Sequence, residues 1–170
     1  MTRTPIMELQ TPRLRLVLQT REEVRAEIAA MSPEHRAQVS PDWLARLDAS
    51  PESDPWSRSF RLVHRESGAV VGSCSFKGPP ADGAVEIAYS IDPEMQGQGF
   101  ATEAARALVD FAFSSRDVRV VRAHTLPEAN ASTRVLARCG FKHVGEVIDP
   151  EDGPVWRFEL AAGGPADDRL

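Results

Sequence analysis

Cysteine is scarce in this chain: Cys74 and Cys139 are its only two, and they lie far apart in the sequence. Two such residues are too few for a disulfide framework or a metal cluster, so we expect reduced thiols that pack as small hydrophobic side chains. The four histidines are scattered without the spacing of metal ligands, so no metal is expected either; they are His35, His64, His124 and His143.

Excess basic charge and long apolar runs are lacking as well. The 20 Lys and Arg residues are outnumbered by 25 Asp and Glu residues, which gives a net charge of -5 at pH 7 without the basic stripe that binds a phosphate backbone. No run approaches the roughly 20 apolar residues of a membrane span, and residues 1–7 have no apolar core typical of a targeting signal. We therefore expect a cytoplasmic protein that binds neither nucleic acid nor membrane, and a cationic or amine-bearing small substrate.

The 170 residues, 42% of them hydrophobic, are enough for one domain with its own core. Alternation and helical periodicity predict a mixed α/β fold in the order strand, two helices, three strands, helix, strand, helix, two strands. The predicted strands are 13–18, 60–65, 70–77, 84–91, 118–125, 141–148 and 154–160, and the predicted helices are 20–31, 41–47, 102–115 and 130–140. The acidic, Pro-rich segment 48–58 is predicted to be a loop.

The stretch "EMQGQGFATEA", residues 94–104, places Gly97 and Gly99 between a predicted strand and a predicted helix. Glycines there leave backbone N–H groups unpaired at the positive end of the helix dipole, which favours phosphate binding. The stretch lacks the Gly-Lys-Ser/Thr ending of a nucleotide-triphosphate loop, and Thr102 stands where a dinucleotide fingerprint has Gly or Ala. A tight turn without a ligand is the alternative for such a glycine pair.

The pattern Gln96-x-x-Gly99-x-Ala101 resembles the acyl-CoA-binding core of the GNAT superfamily of N-acyltransferases. The preceding Ile91-Asp92-Pro93 step and the following "ATEA" are similar to that core, and the segment 126–141 is similar to the block after the family's fifth strand. The opening "LQTPRLRL" is most similar to the branch that includes the ribosomal-protein N-terminal acetyltransferases. The resemblance implies a GNAT domain at 9–160, flexible termini at 1–8 and 161–170, and a mostly antiparallel sheet of six to seven strands flanked by about four helices.

The same resemblance implies where acetyl-CoA binds. Backbone groups of Tyr89, Ser90 and Ile91 are expected to meet the pantetheine in the manner of an added strand. Asn130 and Ser132 are expected cofactor contacts on the second helix, although both are also suited to capping that helix. The loop, which Gln96 begins, is expected to hold the pyrophosphate through the amides of Gly97, Gln98, Gly99, Phe100, Ala101 and Thr102.

Acyl transfer from a thioester to an amine needs a base, a polarised carbonyl and a proton for the departing thiolate. Glu86 is the predicted base because it lies on the small, polar face of strand 84–91, where the family often has a Glu acting through water; a solvent-facing or Arg-paired Glu is the alternative. A backbone N–H near Ile91 is the expected carbonyl donor. Ser132 is the first candidate for the acid and Tyr89 the second, since Tyr89 alternates with the core residues Val85 and Ile87.

These observations predict an N-acetyltransferase that moves an acetyl group from acetyl-CoA to a primary amine by direct attack, without a metal or a covalent enzyme intermediate. The acceptor is the N-terminal amine of a protein or a small-molecule amine, and the enzyme is a monomer or homodimer. The alternative is a non-catalytic acyl-CoA-binding module of the same fold. Trp43 and Trp56 are expected either to wall the acceptor cleft or simply to pack.

Overall fold

The computed structural model describes residues 7–49, 54–150 and 152–163, without the side chains of Trp43 and Arg46. In this part of the chain, eight strands form one sheet in the order β1-β2-β3-β4-β5-β6-β8-β7. All neighbours are antiparallel except β5 and β6, which are parallel. The strands are β1 Glu8–Gln10, β2 Leu14–Leu18, β3 Phe60–His64, β4 Val70–Phe76, β5 Ala84–Ile91, β6 Val120–Thr125, β7 Lys142–Asp149 and β8 Gly153–Ala161.

Five α-helices and one short 3-10 helix accompany the sheet in the described residues. They are α1 Arg21–Ala30, α2 Pro33–Ala37, α3 Pro41–Ala49, the 3-10 turn Pro93–Met95, α4 Phe100–Phe113 and α5 Ala131–Arg138. The start of α1 is fixed by a capping box, in which the Thr20 side chain accepts from the N–H of Glu23 and the Glu23 carboxylate accepts from the N–H of Thr20. The predicted mixed, mostly antiparallel fold is confirmed, with one strand and one helix more than the sequence indicated.

Two elements escaped the sequence-based prediction because they are very short. The strand β1 has three residues, too few for alternation to be visible, and it exists because it pairs with β2. The helix α2 has five residues and begins at Pro33 behind the cap Ser32, a start signal with no apolar periodicity after it. Asp48 and Ala49, predicted as loop, end α3 instead.

The helix α4 packs its small apolar face on the middle of the sheet. Ala104, Ala105 and Leu108 are fully buried and belong to one core cluster with Val85 and Ile87 of β5. Alternation in β5 therefore turns Val85 and Ile87 towards α4 and turns Glu86 to the opposite face. The core thus holds β5 rigidly at the place where the polar residues of the candidate site begin.

The strands β5 and β6 separate after a short parallel ladder. Their paired residues end at Glu86 and Arg122, although β5 continues to Ile91 and β6 to Thr125. Beyond that point β5 is paired on one edge only, with β4. A gap therefore opens between the two strands in the centre of the sheet, which local sequence patterns did not indicate.

Within the described ranges, no helix is long and apolar enough to cross a membrane, and no group of three or more His, Cys, Asp or Glu residues is arranged to hold a metal ion. Residues 1–6 and 164–170, most of the predicted flexible termini, lie outside the described residues. Glu8 and Ala161, which were assigned to those termini, belong to β1 and β8.

Candidate active site

The glycine loop lies between the 3-10 turn and α4, and both glycines have left-handed backbones. The φ angles are +80° at Gly97 and +84° at Gly99, a conformation that L side chains rarely adopt. Gly99 is the N-cap of α4, which begins at Phe100, two residues earlier than the predicted start at Thr102. The first bond within the helix runs from Glu103 N to Gly99 O at 3.1 Å, and no side chain of the described residues caps the end. The first N–H groups of α4 are thus available to an anion.

The start of α4 is anchored to the turn between β1 and β2. The Glu103 carboxylate accepts hydrogen bonds from the Thr11 hydroxyl and from Arg13, whose N and Nε each lie 2.9 Å away. The Arg13 guanidinium also stacks 4.6 Å above the ring of Phe100. Burial alone would raise the pKa of Glu103, but the hydrogen bonds from Thr11 and Arg13 and the charge of Arg13 together lower it. Because Arg13 neutralises Glu103, this acid does not oppose an anion at the loop.

A cavity of about 490 Å³, here called the loop cavity, lies between the end of β5, the glycine loop and α5. Ten of the predicted acetyl-CoA contacts line it: Tyr89, Ser90, Ile91, Gln96, Gly97, Gly99, Phe100, Ala101, Thr102 and Ser132. Arg134 and Arg138 of α5 line it too, and sequence reasoning missed both. Gln98 and Asn130 are absent from the lining: the Gln98 side chain donates to Met95 O at 3.5 Å, and Asn130 caps α5.

A smaller cavity of about 250 Å³, here called the gap cavity, lies where β5 and β6 separate. Glu86 and His124 line it from the face of the sheet opposite α4, and Lys77, Asp149 and Asp152 lie around it. Tyr89 and Ser132 line both cavities. The two spaces therefore adjoin at these two residues, beside the gap that the short β5–β6 ladder leaves.

Backbone groups on the open edge of β5 face the same gap. Lys77 N donates to Glu86 O at 2.8 Å and Asp92 N donates to Val71 O at 2.9 Å, so even-numbered residues here bond towards β4. Since peptide groups alternate along a strand, those of Tyr89 and Ile91 point towards the gap. Those of Ser90 point towards β4, which separates Ser90 from its two predicted partners.

Glu86 is not paired with an Arg of the described residues, which was one of the two structural alternatives to its role as base. Its Oε2 lies 2.9 Å from His124 Nδ1 and 3.4 Å from Lys77 Nζ, and its side chain is 26% exposed. Its Oε1 accepts no hydrogen bond from any described residue. A partly buried carboxylate with one free oxygen in a cavity is suited to accept a proton from a substrate.

The alternation of Tyr89 with Val85 and Ile87 indicated that its side chain would end in the core. In the structure, the side chain extends to α5. Its Oη donates to the carbonyl oxygen of Ser132 at 3.4 Å, a long and therefore weak hydrogen bond. Burial raises the pKa of Tyr89 to about 12, with the hydrogen bond at Ser132 opposing and the nearby Cys139 adding to the rise. The phenol is thus protonated throughout the neutral pH range and is a hydrogen-bond donor at the meeting point of the cavities.

Asn130 has the capping role that the sequence left open beside cofactor contact. Its side-chain oxygen accepts from Thr133 N at 3.0 Å, and Thr133 Oγ1 accepts from Asn130 N at 2.9 Å. This reciprocal pair fixes the start of α5 and with it the place of Ser132. Contact between Asn130 and acetyl-CoA stays a prediction.

Trp56 packs in the core, which was one of its two expected roles. Its ring lies 4.7 Å from that of Phe76 and 5.5 Å from that of Phe111, centroid to centroid. The side chain of Trp43 lies outside the described atoms. Around Glu86, the sequence did not reveal His124, Lys77 and Arg157, because their proximity to it depends on strand register.

The residues around the loop cavity fit an acyl-CoA. A Cβ added at Gly97 would meet no atom within 4 Å, so the backbone there is open to a ligand. The buried hydroxyl of Thr102 has no hydrogen-bond partner among the described residues. Together with the uncapped α4 and the free edge of β5, these features define an acyltransferase fold of the GNAT type.

The family model of the acetyltransferase (GNAT) domain matches residues 5–142, and the chain belongs to this family. The predicted resemblance is thereby confirmed. Among curated relatives, the uncharacterized N-acetyltransferase p20 of Bacillus licheniformis is 31% identical over 93 residues, which cover 54% of this chain and 52% of the relative. The chain spans about half the length of the first curated relatives it matches.

Solved structures share the fold over almost the whole chain. RimL, a ribosomal L7/L12 alpha-N-protein acetyltransferase in complex with coenzyme A, is similar with a TM-score of 0.68 and 18% identity, over 91% of this chain and 98% of that one. A spermidine N-acetyltransferase SpeG chimera from Vibrio cholerae and hSSAT has a TM-score of 0.66 and 17% identity, over 89% of this chain and 96% of the chimera. At these identities the likeness concerns the fold alone.

Proposed function

We propose that this protein is an N-acetyltransferase that moves an acetyl group from acetyl-CoA to a primary amine by direct attack. The observation that carries the proposal is the shared lining of the two cavities by Tyr89 and Ser132. A donor seated at the glycine loop and an acceptor beside Glu86 would meet there. Family membership and the coenzyme A bound by the similar RimL structure support the choice of donor.

Different residues of the loop cavity bind different parts of acetyl-CoA. The N–H groups from Gly97 to Thr102 hold the pyrophosphate at the positive end of α4. The N–H and C=O of Tyr89 and the C=O of Ile91, on the open edge of β5, pair with the amides of the pantetheine. The contributions of Ser90, Gln98 and Asn130 remain predictions of the sequence.

In the transfer itself, Glu86 accepts, directly or through water, the proton that the acceptor amine loses. Acetyl-CoA supplies a thioester: the amine lone pair forms the new C–N bond, the C–S bond breaks, and its electron pair stays on sulfur. The N–H of Ile91 polarises the carbonyl, and Tyr89 donates a hydrogen bond to the sulfur.

Complete proton transfer from Tyr89 to the sulfur is unfavourable. Its pKa of about 12 lies well above that of an alkyl thiol, about 8.5 in cysteine. Tyr89 therefore stabilises the thiolate as a donor, and the thiolate takes its proton from solvent. The Ser132 hydroxyl is the alternative donor.

A direct attack is also supported by the state of the two cysteines. Burial raises the pKa of both thiols, Cys74 and Cys139, so neither is a ready thiolate nucleophile. The acceptor is the N-terminal amine of a protein or a small-molecule amine, the two classes that the names of the RimL and spermidine acetyltransferase structures represent. A cytoplasmic location and a monomeric or homodimeric state remain predictions.

The test measures thermal unfolding with and without acetyl-CoA and then thiol release with a panel of peptides, polyamines and other primary amines. Acetyl-CoA at a hundred times its Kd should add about 2.7 kcal/mol to the free energy of unfolding. Glu86→Gln should keep this shift and lose about 100-fold or more in kcat. Glu146→Gln, an exposed Glu on β7 outside both cavities, is the matched control.

Three results would contradict the proposal in different ways. No thermal shift at saturating acetyl-CoA would mean that the glycine loop is only a turn. A shift without thiol release on any amine would favour the non-catalytic acyl-CoA-binding module. Full activity in Glu86→Gln would mean that the protein is an acetyltransferase but that Glu86 is not its base.

A further inference from the structure

Only one carboxylate oxygen of the proposed base, Glu86, contacts other described residues. Glu86 uses Oε2 for both of its contacts, His124 Nδ1 at 2.9 Å and Lys77 Nζ at 3.4 Å. Lys77 has a side chain 53% exposed, so the His124 contact is the shorter and the less solvated of the two. Because Oε2 is engaged, Oε1 is the oxygen left for a substrate in the gap cavity.

The proton on His124 is placed by Arg157. Arg157 Nε lies 3.1 Å from His124 Nε2, and a guanidinium can only donate. Nε2 must therefore present its lone pair, so the single proton of the neutral ring is on Nδ1 and points at Glu86. The chain of donation runs from Arg157 through His124 to Glu86 Oε2.

Strand register builds this chain. The antiparallel pairing of β6 with β8 puts His124 directly opposite Arg157, and the neighbouring pair, Arg122 with Glu159, is closed by an ion pair of 2.7 Å. The β5–β6 ladder has already ended at Glu86 and Arg122, so the imidazole reaches across the gap to Glu86. The side chain of His124 is only 17% exposed, which leaves the ring little freedom to turn away.

A neutral imidazole between Glu86 and Arg157 has a chemical consequence that a direct ion pair would not have. An Arg in contact with a carboxylate stabilises its charged form and makes it a poorer base. A hydrogen bond from a neutral ring orients the carboxylate with much less loss of basicity. His124 therefore orients the Glu86 carboxylate, and the Arg157 guanidinium contacts His124 instead of the carboxylate.

We propose that His124, with its tautomer fixed by Arg157, is the positioning residue that directs Glu86 Oε1 at the acceptor amine. This inference rests on the proposed function, in which Glu86 is the base. His124 and Arg157 themselves do not touch the reacting atoms.

The first test replaces His124 by the two amides. The amide nitrogen of Asn lies where Nδ1 lies in His, so His124→Asn keeps a donor to Glu86; the amide of Gln lies at the level of Nε2, so His124→Gln does not. We expect kcat of His124→Gln to fall about 10- to 100-fold, with the KM for acetyl-CoA unchanged, and kcat of His124→Asn to stay within about threefold of wild type. Both variants should keep the thermal shift with acetyl-CoA.

The second test removes the group that sets the tautomer. In Arg157→Met the Nε2 lone pair is free to take a second proton, and the resulting imidazolium would pair with Glu86 and weaken it as a base. Lys77, Asp149 and Asp152, which also face His124 in the gap cavity, are unchanged. We expect the kcat of Arg157→Met to fall more steeply than that of wild type between about pH 8 and pH 6. Arg157→Lys, which keeps a donor, should restore the wild-type profile.

Nitrogen NMR of the labelled imidazole gives a readout independent of turnover: wild type should show the proton on Nδ1. A proton on Nε2 in wild type would overturn the inference directly. Equal kcat in His124→Asn and His124→Gln, with wild type active, would overturn it while leaving the proposed function intact. An inactive wild type that still binds acetyl-CoA would overturn the proposed function, and the role of His124 with it.

Discussion

The phenol of Tyr89 lies 3.4 Å from the main-chain oxygen of Ser132, joining strand β5 to helix α5 at the boundary of the two cavities. A hydrogen bond this long is weak, so the Tyr89 hydroxyl can turn its hydrogen bond to a stronger acceptor without a large loss. In the proposed reaction, the thiolate of coenzyme A is such an acceptor. The weak contact with Ser132 is therefore compatible with the donor role proposed for Tyr89.

Removing the phenol oxygen should slow turnover without affecting donor binding. For Tyr89→Phe we expect kcat to fall about tenfold, the value of one lost hydrogen bond in the transition state. Steady-state thiol release measures the effect, and the acetyl-CoA thermal shift shows whether the loop cavity is intact. Ser132→Ala, which removes the alternative donor, should stay within about threefold of wild type. The reverse order of the two variants would assign the donor role to Ser132.

The backbone of the glycine loop should matter more for acetyl-CoA than for stability. Gly97→Ala places a side chain at φ +80°, and Gly68→Ala does so at φ +73° in the β3–β4 turn; neither Cβ meets an atom within 4 Å. Both variants should lose about 1 kcal/mol of unfolding free energy. Only Gly97→Ala should bind acetyl-CoA more weakly, by about tenfold in Kd, because Gly97 lines the loop cavity and Gly68 does not. Calorimetric titration of both variants measures this, and equal Kd values would exclude a backbone site at Gly97.

Glu103 should stabilise the protein in a pH-dependent manner. Its folded pKa is lowered below the usual 4.5, so its contribution is present above pH 4.5 and is lost as the pH falls through the folded pKa. Glu103→Gln should therefore lower the unfolding free energy by about 1–2 kcal/mol at neutral pH. The difference from wild type should shrink under acid conditions. Urea denaturation across this pH range measures it.

Glu66→Gln is the control for that measurement. Glu66 is an exposed residue of the β3–β4 turn with no ion pair among the described residues, so its replacement should change stability little at any pH. A Glu103→Gln difference that persists below the folded pKa would show that packing, and not charge, links α4 to the β1–β2 turn.

Arg134 should contribute to donor affinity through the phosphates of acetyl-CoA. Arg134 lines the loop cavity, and its guanidinium makes no hydrogen bond or ion pair with a described residue. We expect Arg134→Ala to raise the KM for acetyl-CoA about tenfold at low salt, because one charge-assisted contact is lost. The difference should diminish as salt screens the interaction. Arg116→Ala, an exposed arginine outside the cavities, should leave KM unchanged.

The fold and most of the residues that line the loop cavity were accessible from the sequence because both depend on local rules. Alternation located β5, and the glycines after it marked the uncapped start of α4. The order of long elements was likewise correct, while β1 and α2 were too short to have a pattern of their own. Residues that act through their backbone need no particular neighbour, so the sequence was enough to propose the loop from Gly97 to Thr102 as a donor site.

The acceptor side was decided by tertiary structure. The sequence indicated that Glu86 lies on a polar strand face, but it gave no role to His124, which stands 38 residues further on. The two meet because the β5–β6 ladder stops at Glu86 and Arg122, and Arg157 joins them because β6 and β8 pair in that register. Alternation predicts the face of the sheet on which a side chain lies, and glycine predicts where the backbone bends. Which faces meet across a gap depends on how strands pair and separate, and no residue determines that by itself.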